Sequence, residues 1–514
     1  MSQRLQKAVY SALEAGYQLD KEAFNFLEKL SITENPMTII EKAVKKAKTL
    51  PQKPLFINRN FLEELLTEET KKPTPTVVSM PTPPLETKKT AFQPYAEDID
   101  PNIEVIEDPT KKICTTGSVE DYLGYFRDRF RRLEKILRQR IDIKGAMPIS
   151  EALKTSKNSK IKVIGMITDK RESKKNIFFR IEDMNAAATV FVSQGLEEST
   201  RAKVHTLLLD QVVCVIAVKS RNDLLVLEDV LFPETPKRTP HKASIPVYAA
   251  LISDLHIGSK LFMREEFNRF LLWLNGKLGN TYQRELAGKI KYLIIAGDIV
   301  DGIGVYPGQA DELAINDLYQ QYSAASKFIE QIPDYIEVVL VPGNHDASRK
   351  ALPQPAIPKE SAETIYEARK VHSLGNPSTI SLHDVELLVY HGRSLDDIIA
   401  TAPNQSFREP EKAMKLLLQC RHLAPVYGQK TPISPESRDF LVIDRAPDVF
   451  HAGHVHVERH ETYRGVLLVN SGAWQEQTSF QKKMGVEPTP GIVPIVNLQT
   501  QQVFTVNFRS TSMN

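Results

Sequence analysis

Between about residue 245 and residue 514, short apolar runs alternate with amphipathic stretches. Runs such as VYAALISD, YLIIAGD and VELLVYHG are typical of buried strands, and the stretches between them have apolar positions three and four residues apart. This alternation predicts either an α/β domain or a sandwich of β-sheets flanked by helices.

Residues about 147–240 follow a different pattern. Five short runs rich in β-branched and aromatic residues, separated by polar turns, are IKVIGMITDK, NIFFRIEDM, ATVFVSQ, QVVCVIAVKSR and LLVLEDVLF. Five strands of this size predict an OB-fold β-barrel, with Gly165 allowing a bend in the first strand. Basic residues in the turns leave two roles open, contact with single-stranded DNA and binding of another protein.

The first 50 residues predict a small helical domain, because apolar residues recur at helical intervals from Val9 to Leu30. Residues 51–116 contain ten of the 32 prolines and predict a flexible linker. Within it, the segment 56–66 (FINRNFLEELL) is compatible with a short helix or with a docking peptide.

Residues 117–146 predict one basic amphipathic helix. Its apolar face runs from Val119 to Leu137. The other face carries seven cationic residues, Arg127, Arg129, Arg131, Arg132, Lys135, Arg138 and Arg140. Such a face either contacts phosphate or is simply solvated.

Composition excludes several classes of protein. With 41% hydrophobic and 25% charged residues, the chain is typical of a globular protein of several domains. A net charge of +2 excludes a generally basic coat, so nucleic-acid contact requires a local patch. Three cysteines without metal or redox spacing indicate a reducing compartment. No apolar run approaches the ~20 residues that span a bilayer, so we expect a cytoplasmic protein.

Six strand-like runs of the α/β domain end in polar residues. The runs end in Asp254-Leu255-His256, in Asp298 with Asp301 nearby, in Asn344-His345-Asp346, in His391, in His454-Val455-His456 and in Asn470-Ser471. Because ligands bind beyond the carboxyl ends of strands in α/β sheets, we expect these groups along one rim. In extended backbone, residues two apart point the same way, so each D-x-H or H-x-H pair can address one ion or two adjacent ions.

Seven of these residues form a candidate ligand set of two Asp, one Asn and four His. They are Asp254, His256, Asp298, Asn344, His391, His454 and His456. A mixed set of oxygen and nitrogen donors suits Mn²⁺, Fe²⁺ or Zn²⁺ better than Ca²⁺. Each motif alone is a weak signal, but together and in this order they predict a dinuclear site whose two ions share a carboxylate.

The order D-x-H, GDxxD, GNHD, strand-terminal His and GHxH resembles the calcineurin-like metallophosphoesterase superfamily over about 250–475. A helical N-terminus, a Pro-rich linker and an OB-like module before it, with the segment RHLAPVYGQKTPISPESRDFLVIDRAPDVFHAGHVH, narrow the resemblance to the small subunits of archaeal family D DNA polymerases. This resemblance implies a two-metal 3′–5′ exonuclease that hydrolyses DNA phosphodiesters in proofreading. It also implies a large polymerizing subunit, DNA with a single-stranded 3′ end and a sliding clamp as partners, and a nucleoid-associated location.

The resemblance further implies roles for individual residues. One ion would be held by Asp254, His256, Asp298 and His456, and the other by Asp298, Asn344, His391 and His454. Mn²⁺ is the first choice, with Mg²⁺, Fe²⁺ or Zn²⁺ as alternatives. His345 would act as an acid or transition-state donor, Asp346 would orient its ring, and Asp301 would lie behind the ligands.

Three arginines between the fourth and fifth motifs, Arg393, Arg408 and Arg421, are candidate DNA-binding residues, with a plain surface role as the alternative. Trp474 either stacks on a base or fills the core, and the core is favoured because large aromatic residues usually fill interiors. Two other functions stay open. One is a catalytically silent scaffold subunit, and the other is a stand-alone metallophosphodiesterase.

Overall fold

The computed structural model describes residues 92–173 and 176–509. In the first 62 residues it describes positions 8, 11, 12, 15, 17–19, 23, 24, 26, 27, 36–49, 56, 57 and 62. The chain divides into two compact units, Met1–Thr76 and Val77–Asn514. Within the described residues, no helix combines the length and the apolar character needed to cross a membrane.

In the first unit, helix α1 (Pro36–Thr49) buries an apolar face that includes Ile39, Ile40 and Ala43. Strand β1 (Gln18–Leu19) pairs in parallel with β2 (Phe56–Ile57). The predicted helical domain therefore does not end at residue 50. Of the segment 56–66, predicted as a short helix or a docking peptide, the structure describes Phe56 and Ile57, which form a strand, and Leu62, which is buried. The other residues of that segment lie outside the described ones.

The second unit contains the remaining strands. These are β3 (Ile103–Glu107), β4 (Lys160–Glu172), β5 (Ile177–Glu182), β6 (Ala187–Val192), β7 (Val212–Lys219), β8 (Leu224–Leu231), β9 (Tyr248–Ile252), β10 (Ile290–Ala296), β11 (Glu337–Val341), β12 (His372–Ser373), β13 (Ser378–Leu382), β14 (Val385–Tyr390), β15 (Val449–Ala452), β16 (Arg459–Tyr463), β17 (Val466–Asn470), β18 (Ile492–Asn497) and β19 (Val503–Asn507).

The helices of this unit are α2 (Val119–Arg138), α3 (Ile149–Ala152), α4 (Glu198–His205), α5 (Arg264–Leu274), α6 (Thr281–Ala287), α7 (Leu318–Ile329), α8 (Glu363–Ala368), α9 (Leu395–Thr401), α10 (Pro410–Cys420) and α11 (Ser479–Met484). Short 3₁₀ helices cover Tyr95–Asp98, Ile141–Ile143 and Gln309–Glu312.

Two six-stranded sheets form the α/β part, with strand orders β12-β11-β10-β9-β18-β19 and β16-β17-β15-β14-β13-β3. Their facing sides share one apolar core, in which Leu251 and Ile294 of the first sheet lie with Leu387 and Val449 of the second. Two further cores contain the outer sides, one with α5 and α7 and the other with α9 and α10. Strands β9 and β10 are therefore buried along their whole length, which explains their continuous apolar sequences. The predicted mixed α/β architecture of sheets flanked by helices is confirmed.

The five runs between residues 147 and 240 form a closed barrel with the strand order β4-β5-β6-β8-β7. Gly165 lies in β4 where the neighbouring strand approaches closely, since a Cβ there would lie 2.9 Å from Cβ of Ile181. The predicted five-stranded barrel is confirmed. The barrel packs on α2 through Phe130, Leu133 and Cys214.

The predicted flexible linker 51–116 is wrong for its described part, residues 92–116. Strand β3 forms the edge of the second sheet through antiparallel pairing with β13. Ile99 is buried in the core between the sheets, and the amide of Ala96 donates to the carbonyl of Gly288. Proline is tolerated at the ends of edge strands, so the proline count misled the prediction here.

Helix α2 begins at the N-cap Ser118, which forms a capping box with Asp121. Of the predicted apolar face, Phe130, Leu133 and Leu137 are buried, whereas Val119 and Leu123 are 70% and 49% exposed. Arg129, predicted on the polar face, is also fully buried. It bonds to Asp439 of the α/β part, so this residue belongs to an interior ion pair and not to a phosphate-binding face.

Candidate metal centre

The predicted ligands lie beyond the carboxyl ends of five strands at one edge of the two sheets. Strands β9, β10 and β11 run parallel in the first sheet, and β14 and β15 run parallel in the second. They lead in turn to Asp254 and His256, Asp298, Asn344, His391, and His454 and His456. The predicted rim therefore exists, with both sheets contributing to it.

The backbone of the rim is unusual. Asp254, His256, Asp298, His454 and His456 all have φ between 51° and 68°, in the left-handed region that non-glycine residues rarely adopt. These pairs are therefore not in extended backbone, as the sequence interpretation assumed, and the loop conformation makes their side chains converge. Gly343 gives the necessary space, because a Cβ there would lie 2.1 Å from Oδ1 of Asp298.

One group of donor atoms consists of Asp254, His256 and His456. Nε2 of His456 lies 3.4 Å from Oδ1 of Asp254 and 3.1 Å from Nε2 of His256. All three side chains are buried. Their donor atoms lie within 4.8 Å of one another, which is close enough to surround a single ion.

A second group consists of Asp298, His391 and His454. Nε2 of His391 lies 3.3 Å from Oδ2 of Asp298 and 3.0 Å from Oδ1 of Asn344. The same Oδ2 of Asp298 is 3.9 Å from Nε2 of His256 in the first group. Asp298 therefore occupies a position between the groups, as a shared carboxylate would.

Groups behind the ligands fix the imidazole rings. Nδ1–H of His256 donates to Oδ1 of Asp301 over 3.0 Å, and Nδ1–H of His391 donates to the carbonyl of Ala296 over 2.8 Å. Each bond leaves Nε2 as the nitrogen that faces the centre. Asp301 thus lies behind a ligand, as predicted. Nε2 of His454 is 3.1 Å from Asp396, which leaves its Nδ1 for an ion.

Asp254 provides the clearest sign that the site fits a cation. Its Oδ2 accepts hydrogen bonds from the amide of His454 and from the hydroxyl of Ser253. Its Oδ1 is buried and makes no hydrogen bond within the described part of the chain, with Nε2 of His456 3.4 Å away. A buried carboxylate oxygen without a hydrogen bond is costly, and a divalent ion at this point would give it a closer partner. The buried His451 reaches Asp254 only indirectly, through Ser471 and Ser253.

The charges of the centre point the same way. Burial would raise the pKa of Asp254, but the neighbouring His456 lowers it to about 2. Burial likewise opposes ionisation of Asp298, yet His391 and His345 hold its pKa well below the usual value. The pKa of His391 is raised to about 9, because Asp298 outweighs the effect of burial. The carboxylates therefore stay ionised and require positive charge, which metal ions would supply.

His345 lies beside Asp298, with its Nε2 3.9 Å from Oδ2 of that residue. Its Nδ1–H donates to the carbonyl of Asp301 over 2.6 Å. Burial lowers the pKa of His345 to about 4, so the ring is neutral and Nε2 carries a lone pair. This protonation state does not favour the predicted role of His345 as a resident acid.

The prediction that Asp346 orients the ring of His345 is wrong. The carboxylate of Asp346 accepts hydrogen bonds from the amides of Gly343 and Ile299 and from the hydroxyl of Tyr322. Asp346 therefore holds the loop between β11 and the centre in shape. Adjacent positions in the sequence suggested a direct contact that the turn does not allow.

The three predicted DNA-binding arginines lie in different environments. Arg393 lines the cavity beside the centre. Arg408 is exposed and pairs with Glu487, and it is not among the residues of that cavity. The prediction for Arg421 is wrong, because this side chain is buried and donates to the carbonyl of Asp444.

The cavity beside the centre has a volume of about 320 Å³. Five of the seven ligand candidates line it, namely His256, Asp298, Asn344, His454 and His456, and so do His345 and the apolar residues Tyr306, Phe407, Phe480 and Met484. Sequence reasoning missed these apolar residues, because isolated aromatic residues in loops have no motif. Trp474 is fully buried among Phe267 and Phe270, which confirms the core position that the sequence favoured.

Comparison with known proteins identifies relatives. The protein family of the DNA polymerase alpha/epsilon B subunits matches residues 249–460. The DNA polymerase II small subunit of Methanocaldococcus jannaschii is 40% identical over 78% of this chain and 68% of its own length. The protein of the same description from Archaeoglobus fulgidus is 41% identical over 76% of this chain and 78% of its own length. The one from Halobacterium salinarum is 35% identical over 98% of both chains.

Among solved structures, a novel archaeal phosphodiesterase is 13% identical and covers 51% of this chain and 99% of its own, with a TM-score of 0.27. That score is too low to define the fold. The sequence relatives are far closer, and their match extends over most of the chain. The chain belongs to the family of archaeal DNA polymerase II small subunits.

Proposed function

We propose that the protein is a two-metal phosphodiesterase, the 3′–5′ exonuclease that removes nucleotides from DNA during proofreading by a replicative polymerase. The observation that carries this proposal is the position of Asp298 between two groups of converging donors. A buried Asp254 oxygen without a partner supports it. In this proposal the sheets form a calcineurin-like phosphoesterase domain and the closed barrel is an OB-fold.

Two divalent ions would be held by the seven predicted ligands. Asp254, His256, Asp298 and His456 would hold one ion, and Asp298, Asn344, His391 and His454 the other. Mn²⁺ is the first choice, and Mg²⁺, Fe²⁺ or Zn²⁺ fit the same mixed donors. Such a pair of ions supplies activation of water and stabilisation of the charge on a phosphodiester.

The other residues of the centre would position the substrate and handle protons. His345 presents a neutral Nε2 towards the centre, held by the bond from its Nδ1–H to Asp301. It would accept a hydrogen bond or a proton from a reacting group at that point. Arg393 lines the same cavity and would contact the DNA backbone electrostatically.

The relatives are named as small subunits of a DNA polymerase. We therefore infer a large polymerizing chain as the partner, with a single-stranded DNA 3′ end as the substrate and a sliding clamp as a further contact. A silent scaffold is less well supported, because an unused site need not keep two groups of mostly buried side chains whose donor atoms lie within 4.8 Å of one another in each group. A stand-alone metallophosphodiesterase has no evident use for the barrel.

The proposal is tested by measuring how far a labelled DNA strand is shortened from its 3′ end. The full chain, alone and with its large partner, is incubated with 5′-labelled single-stranded DNA in Mn²⁺ or in chelator, and metal content is measured in parallel. We expect stepwise shortening from the 3′ end in Mn²⁺ only, and loss of both shortening and bound metal in Asp298→Ala. His372→Gln, a surface histidine paired with Glu337, is the matched control. Full activity of Asp298→Ala would place the activity at a different site, and no shortening of DNA by the parent protein in Mn²⁺ would favour the scaffold.

A further inference from the structure

The cavity beside the candidate metal centre is lined by two unlike kinds of residue. Five candidate metal ligands are among them. The others include Tyr306, Phe407 and Phe480, which we name the aromatic wall, together with Met484. Hydrolysis of a phosphodiester by metal ions does not itself need an aromatic surface, so this wall indicates a further feature of the ligand.

Phe480 and Met484 lie one turn apart on α11 and are 55% and 47% exposed. The helix is short but well held. Thr478 and Gln481 form a capping box at its start, and the side chain of Gln481 also reaches Nδ1 of His456 over 2.9 Å. Two large apolar side chains are therefore held at a fixed place next to a proposed ligand, in contact with solvent.

Tyr306 continues the wall towards the centre. Its ring lies 6.2 Å from that of Phe480, with 32° between the planes, and 6.1 Å from the ring of His345. The hydroxyl of Tyr306 donates to Glu312 over 2.8 Å, and the hydroxyl of Ser479 on α11 donates to the same carboxylate. Glu312 thus links the loop of Tyr306 to α11. The rings of Tyr306 and Phe480 are therefore held in place before a ligand binds, with Tyr306 next to His345 of the centre.

Two cations complete the cavity. Arg393 and Lys430 line it. In the part of the chain that the structure describes, neither side chain has an ion pair or a hydrogen bond. The nearby Asp396 is already engaged by His454. Aromatic faces combined with available positive charge are the features by which proteins bind single-stranded nucleic acid.

We infer that the aromatic wall is a subsite for the unpaired base at the 3′ end of a DNA strand, stacked beside Phe480 and Tyr306 while its phosphodiester reaches the metal centre. This inference rests on the proposed function. The cavity volume of about 320 Å³ is at the lower end for ligand sites, which suits one nucleotide. Every base has a π-face, so binding is tolerant of sequence.

The experiment measures binding separately from hydrolysis. A 5′-fluorescein oligonucleotide is titrated with full-length protein in chelator, and its anisotropy is followed. A second oligonucleotide differs only in an abasic 3′-terminal residue. Phe480→Ala should bind the first oligonucleotide roughly 5- to 150-fold more weakly than the parent protein does, and should bind the abasic one as the parent protein does. Phe480→Trp should retain binding.

Two further variants control for loss of folding and for loss of an aromatic side chain outside the cavity. Tyr306→Leu removes a second ring of the wall and should reproduce the loss if Phe480→Ala proves unstable by circular dichroism. Tyr319→Ala removes an aromatic side chain that is 63% exposed on α7, outside the cavity, and should bind like the parent protein.

Equal binding of both oligonucleotides by the parent protein would overturn the inference, as would an equal loss on both in Phe480→Ala. The two proposals can fail separately. Base-dependent binding without any nucleotide release in Mn²⁺ would leave the subsite and reject the exonuclease. Release of nucleotides in Mn²⁺ that depends neither on the terminal base nor on Phe480 would reject the subsite and leave the exonuclease.

Discussion

Two buried clusters of charged residues in this protein look alike in composition but differ in completeness. In the first, which we name the Arg129 cluster, Arg129 donates to Asp439, to the carbonyl of Pro425 and to the hydroxyl of Tyr125. His422 donates to the same carboxylate over 2.8 Å. In the candidate metal centre, Oδ1 of Asp254 has no hydrogen-bond partner and imidazole nitrogens of two histidines lie 3.1 Å apart.

This difference in pairing distinguishes a buried ion network that stabilises the fold from a cluster of donor atoms suited to binding cations. Burial of charge is tolerated when each donor meets an acceptor and the charges balance. The Arg129 cluster meets both conditions with the residues of the chain. The candidate metal centre does not meet them with the described residues, because Nε2 of His256 and Nε2 of His456 face each other over 3.1 Å and Oδ1 of Asp254 makes no hydrogen bond there. Divalent cations would pair with these atoms. Incomplete pairing, more than the presence of Asp and His, therefore marks the functional region.

The largest expected effect comes from a matched pair of substitutions, Asp439→Asn and Asp254→Asn. Asp439→Asn leaves the buried Arg129 without a counter-charge and should lower the free energy of unfolding by about 3–5 kcal/mol. In chelator, Asp254→Asn should cost less than Asp439→Asn, because it loses the attraction between His456 and the carboxylate but leaves no arginine buried without a counter-charge. Urea denaturation followed by circular dichroism measures both. Equal destabilisation by the two substitutions would contradict the comparison.

The pH dependence of stability should identify His422. Burial and the nearby Arg129 lower its pKa to about 4, against 6.5 for an ordinary histidine. As the pH falls from 6.5 to 4, the unfolded chain binds a proton at this residue and the folded protein does not, so stability falls. The loss amounts to about 3 kcal/mol at 1.36 kcal/mol per pKa unit.

His422→Gln keeps a donor for Asp439 and has no proton to gain in this range. Its unfolding free energy should therefore change less between pH 7 and pH 4.5 than that of the parent protein. Both are measured by urea denaturation at the two pH values. An identical pH slope would show that His422 is not responsible.

Metal ions should stabilise the protein through the centre alone. At a free Mn²⁺ concentration 100 times the dissociation constant, a site adds about 2.7 kcal/mol to the free energy of unfolding. Asp254→Asn should lose this gain for at least one site, whereas Asp439→Asn should keep it in full from a lower starting stability. Thermal unfolding in Mn²⁺ and in chelator gives the comparison. Undiminished stabilisation of Asp254→Asn would exclude Asp254 as a ligand.

A smaller effect is expected behind the ligands, from Asp301→Asn. The carboxylate of Asp301 accepts hydrogen bonds from His256, Gln309 and Gln475. In Asp301→Asn, the side-chain NH₂ group would face at least one of these N–H donors, so that hydrogen bond would be lost. The ring of His256 would lose its fixed orientation, and metal affinity should fall by about 10- to 100-fold. Isothermal titration with Mn²⁺ measures it. Asp317→Asn is the control, because Asn is also a good N-cap for α7.

The ligands could be predicted from the sequence because each follows a buried strand in a short motif, and parallel strands bring such ends together. Asp298, for example, needed only the run YLIIAGD and its neighbours. The sequence did not predict that Asp346 supports a loop, because this depends on how the turn after β11 is closed. The left-handed backbone at Asp254 and His256 was likewise hidden, since neither residue type requires it.

Long-range partners account for the other failures. The position of Arg129 on α2 places it next to the apolar stripe, but its burial depends on Asp439, 310 residues away. The strand β3 was masked by prolines, and its pairing partner β13 is also far away in the sequence. Periodicity describes one element at a time, so contacts of this kind are invisible to it. The aromatic wall is a third example, built from two separate loops and a short helix.

An exposed ion pair gives the smallest expected effect and completes the comparison. Arg408 and Glu487 lie 3.0 Å apart, with both side chains about two-thirds exposed (66% and 68%). Water screens such a pair, so Arg408→Ala should change the free energy of unfolding by less than about 1 kcal/mol. Its affinity for single-stranded DNA should also stay within twofold of the parent protein, whereas Arg393→Ala should bind measurably more weakly in the same anisotropy titration. A larger loss for Arg408→Ala than for Arg393→Ala would move the path of the DNA strand away from the cavity and onto the surface around α10.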